Sequence, residues 1–358
     1  MTGRDVYEKL MRGIAAGKFA KDGKLPSESK LGKTFKVSRM TVRGALAELQ
    51  RQGLIEKRNG AGSFLTRRAL RKSGIIGLVI PNFESFEFFM DIKDELERHC
   101  KRLNYMVRLV FTRERSHEAA VRSIRRKVRE LAVARAEGII FRPYVDETFA
   151  AANREIVRIC QRAEIPVVLI DSDITRPPER SDCDLVAVNN IDAGRRIADH
   201  LHRRGYRQIA FLGEHRENVR NANWDNRLFG LAGELALLGS ASGVRSLDFA
   251  PTDARALASA LRGKSRVDAI VCGNDESAAQ ILETLRKLGK RVPEDVAVIG
   301  FDDIALARTT VPPLTTISQP VRKIAATAFK SLLARIRYPN NDPREIFLTA
   351  PLVPRRSA

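Results

Sequence analysis

Polar side chains follow short apolar runs at several points of this chain, and their types suit the holding of a hydroxyl-bearing ligand. Arg142 comes after Gly138 to Phe141, Asp171-Ser172-Asp173 after Pro166 to Ile170, Asn274-Asp275 after Ala269 to Cys272, and Asp302-Asp303 after Val296 to Gly300. Asn82-Phe83-Glu84-Ser85 and then Phe88-Phe89 follow a fifth run, Ile75 to Ile80. Carboxylates and amides accept hydrogen bonds from hydroxyls, arginine donates, and an aromatic face stacks on an apolar ring face. Taken singly, each is equally a loop residue or a helix cap, and Asn274-Asp275 fits a cap well. A second group, Arg39, Thr41 and Arg43, opens a helical pattern at the other end of the chain, with donors suited to base edges and phosphates.

Catalytic constellations are not found. The five histidines, at 99, 117, 200, 202 and 215, form no HExxH, and His200 and His202 share an ordinary amphipathic helix. There is no GxGxxG after a strand, no phosphate loop and no GxSxG elbow, so no enzyme, cofactor or metal is expected. Four scattered cysteines without CxxC spacing argue against both a disulfide framework and a thiolate metal site. A reducing cytoplasm is the expected location, since no apolar run approaches a membrane span and MTGRDVYEKL has no signal-peptide core.

The elements that must position these groups fall into two sets. In the first, Val6, Leu10 and Ile14 predict a helix over about 4–16. Leu25-Pro26-Ser27-Glu28 starts a second helix, because Pro26 cannot continue an incoming helix, Ser27 can cap, and Glu28 suits the positive helix end. Ser38 caps a third helix whose apolar face is Val42, Leu46 and Leu49, which leaves Arg39, Thr41 and Arg43 facing elsewhere until Gly53 ends it. Leu54 to Arg58 and Ser63 to Thr66 then predict a hairpin around Asn59-Gly60-Ala61-Gly62.

Charge agrees with this set as a nucleic-acid module. The formal net charge is +20, and residues 1–73 hold 18 Lys and Arg against 6 Asp and Glu, which puts most of the excess at that end. Such a surface is either merely solvated or meets a polyanion. The basic stretch Arg67 to Gly74 has no apolar period and reads as a linker.

From Ile75 onward, apolar strands at Ile75 to Ile80, Met106 to Val110, Gly138 to Phe141, Pro166 to Ile170, Leu185 to Val188, Gln208 to Leu212, Ala269 to Cys272 and Val296 to Gly300 alternate with helical stretches such as Phe89 to Arg102, Ile191 to Arg203 and Ser277 to Leu288. Strands apolar on both faces and separated by helices indicate parallel sheets of βαβ units. The fold class is therefore α/β, with an N-terminal winged helix-turn-helix and a two-lobed, doubly wound parallel-sheet domain. Ligands of such sheets bind beyond the strand carboxyl ends, where the polar groups lie.

Two resemblances extend this reading. LPSESKLGKTFKVSRMTVRGALAELQRQGLIEKRNGAGSF resembles the DNA-binding domain of the GntR family. That resemblance implies that Arg39 reaches a guanine edge, that Glu28 and Asn59 assist base reading, that Ser38, Thr41 and Arg43 hold phosphates, and that Gly60 and Gly62 let the wing approach the minor groove. Residues 75 to about 354, through IIGLVIPN, EGIIF, IPVVLID, VNNIDAGRRIADHL, AIVCGNDESA, RVPEDVAVIGFDDIALA and PPLTTISQP, resemble the effector domain of the LacI/GalR family, itself similar to periplasmic sugar-binding proteins. By position this implies effector contacts from Arg227 and Asp275, with Phe89, Arg142, Asp171 and Asp302 lining a cleft. Trp224, the only tryptophan, either stacks on the ligand or belongs to the core.

Together these imply a homodimeric transcription regulator, a repressor, with double-stranded operator DNA and a sugar effector as partners. Its divisions are expected at 1–66 for the winged helix, 67–74 for the linker and 75–358 for the effector domain, with a hinge near Ser172, Phe301 and Ser318. An enzyme, a transport protein and an architectural DNA binder are the rival readings.

Overall fold

The computed structural model describes residues 2–15, 19, 23–51, 53–58, 60–66, 73–81, 86–114, 116–176, 178–213, 221–240, 243–263 and 266–358. Asn59, the 67–72 part of the expected linker, residues 82–85 and His215 lie outside them.

Helices α1 (Gly3–Ala15), α2 (Glu28–Phe35) and α3 (Arg39–Arg51) precede the antiparallel pair β1 (Ile55–Arg58) and β2 (Gly62–Leu65). Val6, Leu10, Ile14, Leu31, Val42, Leu46, Leu49, Ile55 and Leu65 bury into one small core. The starts of α2 and α3 are fixed by their caps. Ser27 accepts from the Lys30 amide, and the Ser38 hydroxyl accepts from the Thr41 amide at 3.1 Å. Lys36, at φ 55°, ends α2 in the left-handed conformation.

The first lobe is a fully parallel six-stranded sheet in the order β13-β7-β6-β5-β3-β4. Its strands are β3 (Ile75–Val79), β4 (Met106–Val110), β5 (Gly138–Phe141), β6 (Val167–Ile170), β7 (Asp184–Val188) and β13 (Glu345–Leu348). Helices α4 (Phe86–Lys101), α5 (His117–Val133) and α6 (Ala150–Arg162) connect them. All residues of β3, β5 and β6 are buried, as a sheet covered on both faces requires.

The second lobe has the order β14-β12-β11-β10-β8-β9, parallel except for β14. It comprises α7 (Asn190–Arg203), β8 (Ile209–Leu212), α8 (Ala222–Leu237), β9 (Val244–Leu247), α9 (Ala254–Ala260), β10 (Ala269–Cys272), α10 (Asp275–Lys287), β11 (Ala297–Asp302), α11 (Ala305–Thr309), β12 (Thr315–Ser318) and β14 (Leu352–Val353). Helix α12 (Val321–Arg337) returns to pack on the first lobe, against α4 and β5 to β7.

Sheet membership corrects the expected hinge. The chain crosses between lobes after Val188, at Gln319-Pro320 and between Leu348 and Leu352. The crossings are bonded side by side, Asn189 N–H to Leu348 O at 2.9 Å and Ser318 N–H to Pro351 O at 2.8 Å. Ser318 therefore stands at a crossing. Ser172 does not, because β6 and β7 on either side of it belong to one sheet, and Phe301 lies inside β11, whose neighbours β10 and β12 share its sheet.

Helices α7 and α8 meet at glycines. A Cβ on Gly230 would lie 2.0 Å from the Ile191 carbonyl oxygen, and one on Gly194 would lie 2.1 Å from that of Arg227. Their backbones thus touch, which sets where Arg227 projects. No helix among the described residues is long and apolar enough to cross a membrane.

Candidate nucleic-acid interface and ligand cleft

At the N-terminal unit, burying Val42, Ala45, Leu46 and Leu49 turns Arg39, Met40 and Arg43 to solvent. Met40 is 72% exposed. The Arg39 guanidinium lies 3.4 Å from the Ser29 hydroxyl, and Ser38 and Thr41 share a hydroxyl contact of 2.8 Å. Glu28 stands between Arg43, at 3.5 Å, and Lys57, at 3.7 Å. Gly60 and Gly62 hold φ values of 72° and 106°, a turn that side-chain-bearing residues rarely make. Lys24 and Arg58, not among the expected contacts, flank the Phe64 ring on the wing at 5.5 and 4.6 Å. Their signal was the alternation of the hairpin, which aligns Lys24 beside Phe64 through an isolated bridge.

Between the lobes, the carboxyl ends of β5, β6, β10 and β11 face one another. Phe88, Phe89, Arg142, Asp171, Trp224, Arg227, Asn274 and Asp302 line the space, joined by Asn221, Asn223 and Gln319. These ends lie where strand order reverses, β3 to β5 in one sheet and β8 to β10 in the other, the usual ligand position of open α/β sheets.

One hydrogen-bonded series links the lobes. Arg227 Nε donates to Asn190 Oδ1 at 2.8 Å, Asn190 Nδ2 to Asn223 Oδ1 at 3.2 Å, Asn223 Nδ2 to Asp171 Oδ1 at 2.9 Å, and Arg142 Nε to Asp171 Oδ2 at 3.2 Å. Arg227 also donates to the Gly273 carbonyl at 2.6 Å and lies 3.3 Å from the Phe301 ring centre. Arg142, 2% exposed, covers the Phe89 ring at 5.0 Å. Trp224 lies half-buried against Gly273, lining the cleft on one side while packing on the adjoining core. Asp171 and Asp302 hold positive φ values of 73° and 120°, and such backbone strain gathers at ligand sites.

The structure separates Asp275 from this group. It is fully buried, accepting from the Thr316 hydroxyl at 2.6 Å and the Ile304 amide at 3.1 Å, and it does not line the cleft. Asn274 faces the cleft while capping α10 through the Ser277 amide at 2.8 Å. One residue at a helix start turns a side chain through about 100°, enough to exchange which of two neighbours faces the ligand. Asn190, Asn221, Asn223 and Gln319 were missed, although Asn190 and Gln319 lie inside VNNIDAGRRIADHL and PPLTTISQP, two of the segments that carried the resemblance.

Burial pushes the Asp302 carboxyl up to about 8, the nearby Arg227 charge opposing and Asp275 adding to the rise. Burial likewise raises Asp275 to about 7, against its hydrogen bonds from Thr316 and two amides. In the unfolded chain both ionise near the ordinary Asp value of about 4. The stability tied to them is complete below that value and is lost as pH rises through about 7 to 8. Tm should therefore fall between about pH 5 and about pH 9, and Asp302→Asn, which keeps an acceptor for Gln319, should flatten the fall. A thermal-shift series giving the same slope for both proteins would contradict this.

The gntR-family model of bacterial regulatory proteins matches residues 2–65, and a periplasmic binding protein-like domain model matches 198–358. The HTH-type transcriptional repressor PurR of Vibrio vulnificus is 30% identical over 296 residues, 78% of this chain and 80% of its own length. The arabinose metabolism transcriptional repressor of Geobacillus stearothermophilus is 27% identical over 357 residues, 94% of this chain and 91% of its own. A LacI family regulator from Enterococcus faecium, solved with bound ribose, shares the fold with a TM-score of 0.64 at 23% identity, covering 79% of this chain and 98% of its own. The chain belongs to the bacterial transcriptional regulators, and it joins a gntR-family helix-turn-helix to a periplasmic binding protein-like domain.

Proposed function

We propose that this protein is a repressor whose affinity for an operator is set by a sugar bound between its lobes. The observation that carries the reading is the series from Arg227 to Arg142, which crosses the lobe boundary at the single bond from Asn223 to Asp171. Donors and acceptors from both lobes converge there beside Trp224 and Phe89, so a polyhydroxylated ring inserted in the cleft exchanges internal bonds for its own. A ligand that binds one interlobe angle more tightly than another shifts the population of angles by that difference. We assign effector contacts to Phe89, Arg142, Asp171, Trp224, Arg227 and Asp302, add Asn223, Asn274 and Gln319, and leave Asp275 to support the β11–β12 end.

The protein is proposed to act in the cytoplasm as a homodimer, with its DNA-binding unit ending near residue 66 and its effector domain beginning near 75. Two winged helices held at one separation would read two half-sites together. Arg39, Ser38, Thr41, Arg43, Glu28 and the wing from Asn59 to Gly62 are the proposed DNA contacts, with Lys24 and Arg58 added at phosphates. Arg39→Ala should weaken operator binding by about 1 to 3 kcal/mol and relax sequence preference, measured by fluorescence anisotropy against operator and scrambled duplexes.

The test of the whole reading is a gel shift with the DNA preceding its own coding sequence, repeated with arabinose, ribose, xylulose and cellobiose. Specific retardation relieved by at least one sugar is expected, together with a change in Trp224 fluorescence at the same concentrations. DNA binding indifferent to every sugar, with no fluorescence response, would overturn the effector assignment.

A further inference from the structure

The contact between the DNA-binding unit and the first lobe is concentrated in a few side chains. Glu48, on α3, accepts from the Arg337 guanidinium at 3.1 Å and from the Tyr338 hydroxyl at 3.3 Å. Arg51 of α3 pairs with Glu48 at 2.7 Å and donates to the Tyr338 hydroxyl at 3.2 Å. The Arg337 guanidinium covers the ring of Tyr7, on α1, at 4.8 Å and enters a groove lined by Gly3, Tyr7, Gly44 and Glu48. Beside this cluster lies a cavity of about 900 Å³, lined by Leu54 of the DNA-binding unit and by Arg135, Arg162 and Ile336 among others of the first lobe. Among the described residues, the docking is thus an anchor at one point.

The anchor grips the side of α3 that does not read DNA. Arg39 and Glu48 are nine residues apart, about 900° of helix rotation and therefore on opposite faces. Docking through Glu48 leaves Arg39 open to a duplex.

The other end of the same element reaches the ligand cleft. Gln319 immediately precedes the Pro320 cap of α12, and its Nε2 donates to Asp302 Oδ1 at 2.6 Å. From there α12 runs 17 residues, about 25 Å, to Arg337. Ile324, Ala328, Phe329 and Leu332 bury along its length. Near its far end, Arg335 pairs with buried Asp184 at 2.7 Å and donates to the carbonyls of Pro339, Asn341 and Asp342. The far end is thus held to the first lobe, and the near end is tied through Gln319 to Asp302. It belongs to the first lobe by packing, yet is bonded to the second at Asp302.

We propose that α12 transmits the interlobe angle to the DNA-binding unit, and that the cluster of Glu48, Arg337 and Tyr338 is its output contact. This rests on the reading of the chain as a ligand-controlled DNA binder. A change of lobe angle moves Asp302 against the first lobe, Gln319 carries that displacement to the start of α12, and the docked α3 turns with its other end. Arg337 and Tyr338 are positioning residues, remote from both DNA and ligand.

The experiment compares the full chain with Arg337→Glu, with Tyr338→Phe and with the charge exchange Glu48→Arg/Arg337→Glu. Hydrogen exchange is followed over 43–51 and 330–338, and operator binding by anisotropy with and without the sugar that changes Trp224 fluorescence. In Arg337→Glu, exchange in both segments should rise severalfold and the sugar should alter operator affinity by less than a third of the wild-type factor. Its Trp224 titration should match wild type, and the charge exchange should restore at least half of the lost response. Tyr338→Phe, which removes only a hydroxyl, should give a smaller change of the same kind. Wild-type exchange and a wild-type sugar response in Arg337→Glu would overturn the proposal, as would loss of coupling without rescue by the exchanged pair. Should the wild-type chain itself bind neither the DNA nor any sugar, the functional reading fails, while the exchange rates still decide whether this anchor holds.

Discussion

Gly230→Ala should lower stability by about 3 to 5 kcal/mol, among the largest effects a single methyl group can have in this fold. The added carbon would stand 2.0 Å from the Ile191 carbonyl oxygen and 2.8 Å from its carbonyl carbon, and both are backbone atoms that no rotamer change can move. To reach ordinary contact, α7 and α8 must separate by more than an ångström along a seam that also holds Gly194 against Arg227. Leu201, Leu231 and Leu235 pack beside that seam, so their contacts loosen together. A Tm lower by roughly 10 °C is expected, at about 2 to 4 °C per kcal/mol for a unit of this size. Gly233→Ala provides the comparison within the same helix. Nothing stands within 4 Å of its added carbon, so the gain in helix propensity of about 0.5 to 1 kcal/mol should leave Tm equal or slightly higher. Differential scanning fluorimetry giving equal losses for the two variants would refute the close-approach account.

Arg227→Ala should abolish control by the sugar while leaving operator affinity near wild type. Arg227 is 6% exposed, and its guanidinium joins Asn190, the Gly273 carbonyl and the Phe301 ring. Removing it leaves the Asn190 oxygen and the Gly273 carbonyl without this donor and breaks the first link of the series to Asp171. Truncating one member of a buried, charge-assisted group costs about 2 to 5 kcal/mol, so sugar affinity should fall about 30-fold or more. Calorimetry with the sugar found to relieve retardation measures the loss. A variant that binds the sugar within threefold of wild type would remove Arg227 from the effector site.

Much of the architecture could be read from the chain because β3, β5, β6, β8 and β10 are continuous apolar runs, and runs of that kind belong inside parallel sheets. The N-terminal unit was legible for a different reason, since Ser27, Ser38 and the wing glycines each act on their own local backbone. β12 was missed because it begins with two threonines, whose hydroxyls are satisfied only by distant partners, Thr316 by Asp275 and Thr315 by the chain end. β9 and β13 are edge strands with exposed residues and carry little pattern.

The cleft was legible in part. Arg142, Asp171 and Asp302 could be found because they stand at or just past the carboxyl ends of strands. Asn223 and Gln319 could not, since Asn223 reads as an ordinary first-turn residue of α8 and Gln319 as a connection, and their bonds to Asp171 and Asp302 come from residues far away in sequence. The misplaced hinge has the same origin, because strands of both sheets are equally apolar and nothing in a strand says which sheet it joins.

The three side-by-side crossings carry an implication for how such proteins can be assembled from parts. Each lobe is woven from separate stretches of chain, the first from 75–188 together with 321–348, so no single cut releases either one whole. The winged helix is drawn from one stretch of chain. Gene fusion can therefore exchange the DNA-reading head as a block, whereas the paired lobes must be inherited together. A transplanted head would keep its fold but lack a matching acid opposite Arg337 unless one were supplied at the position of Glu48.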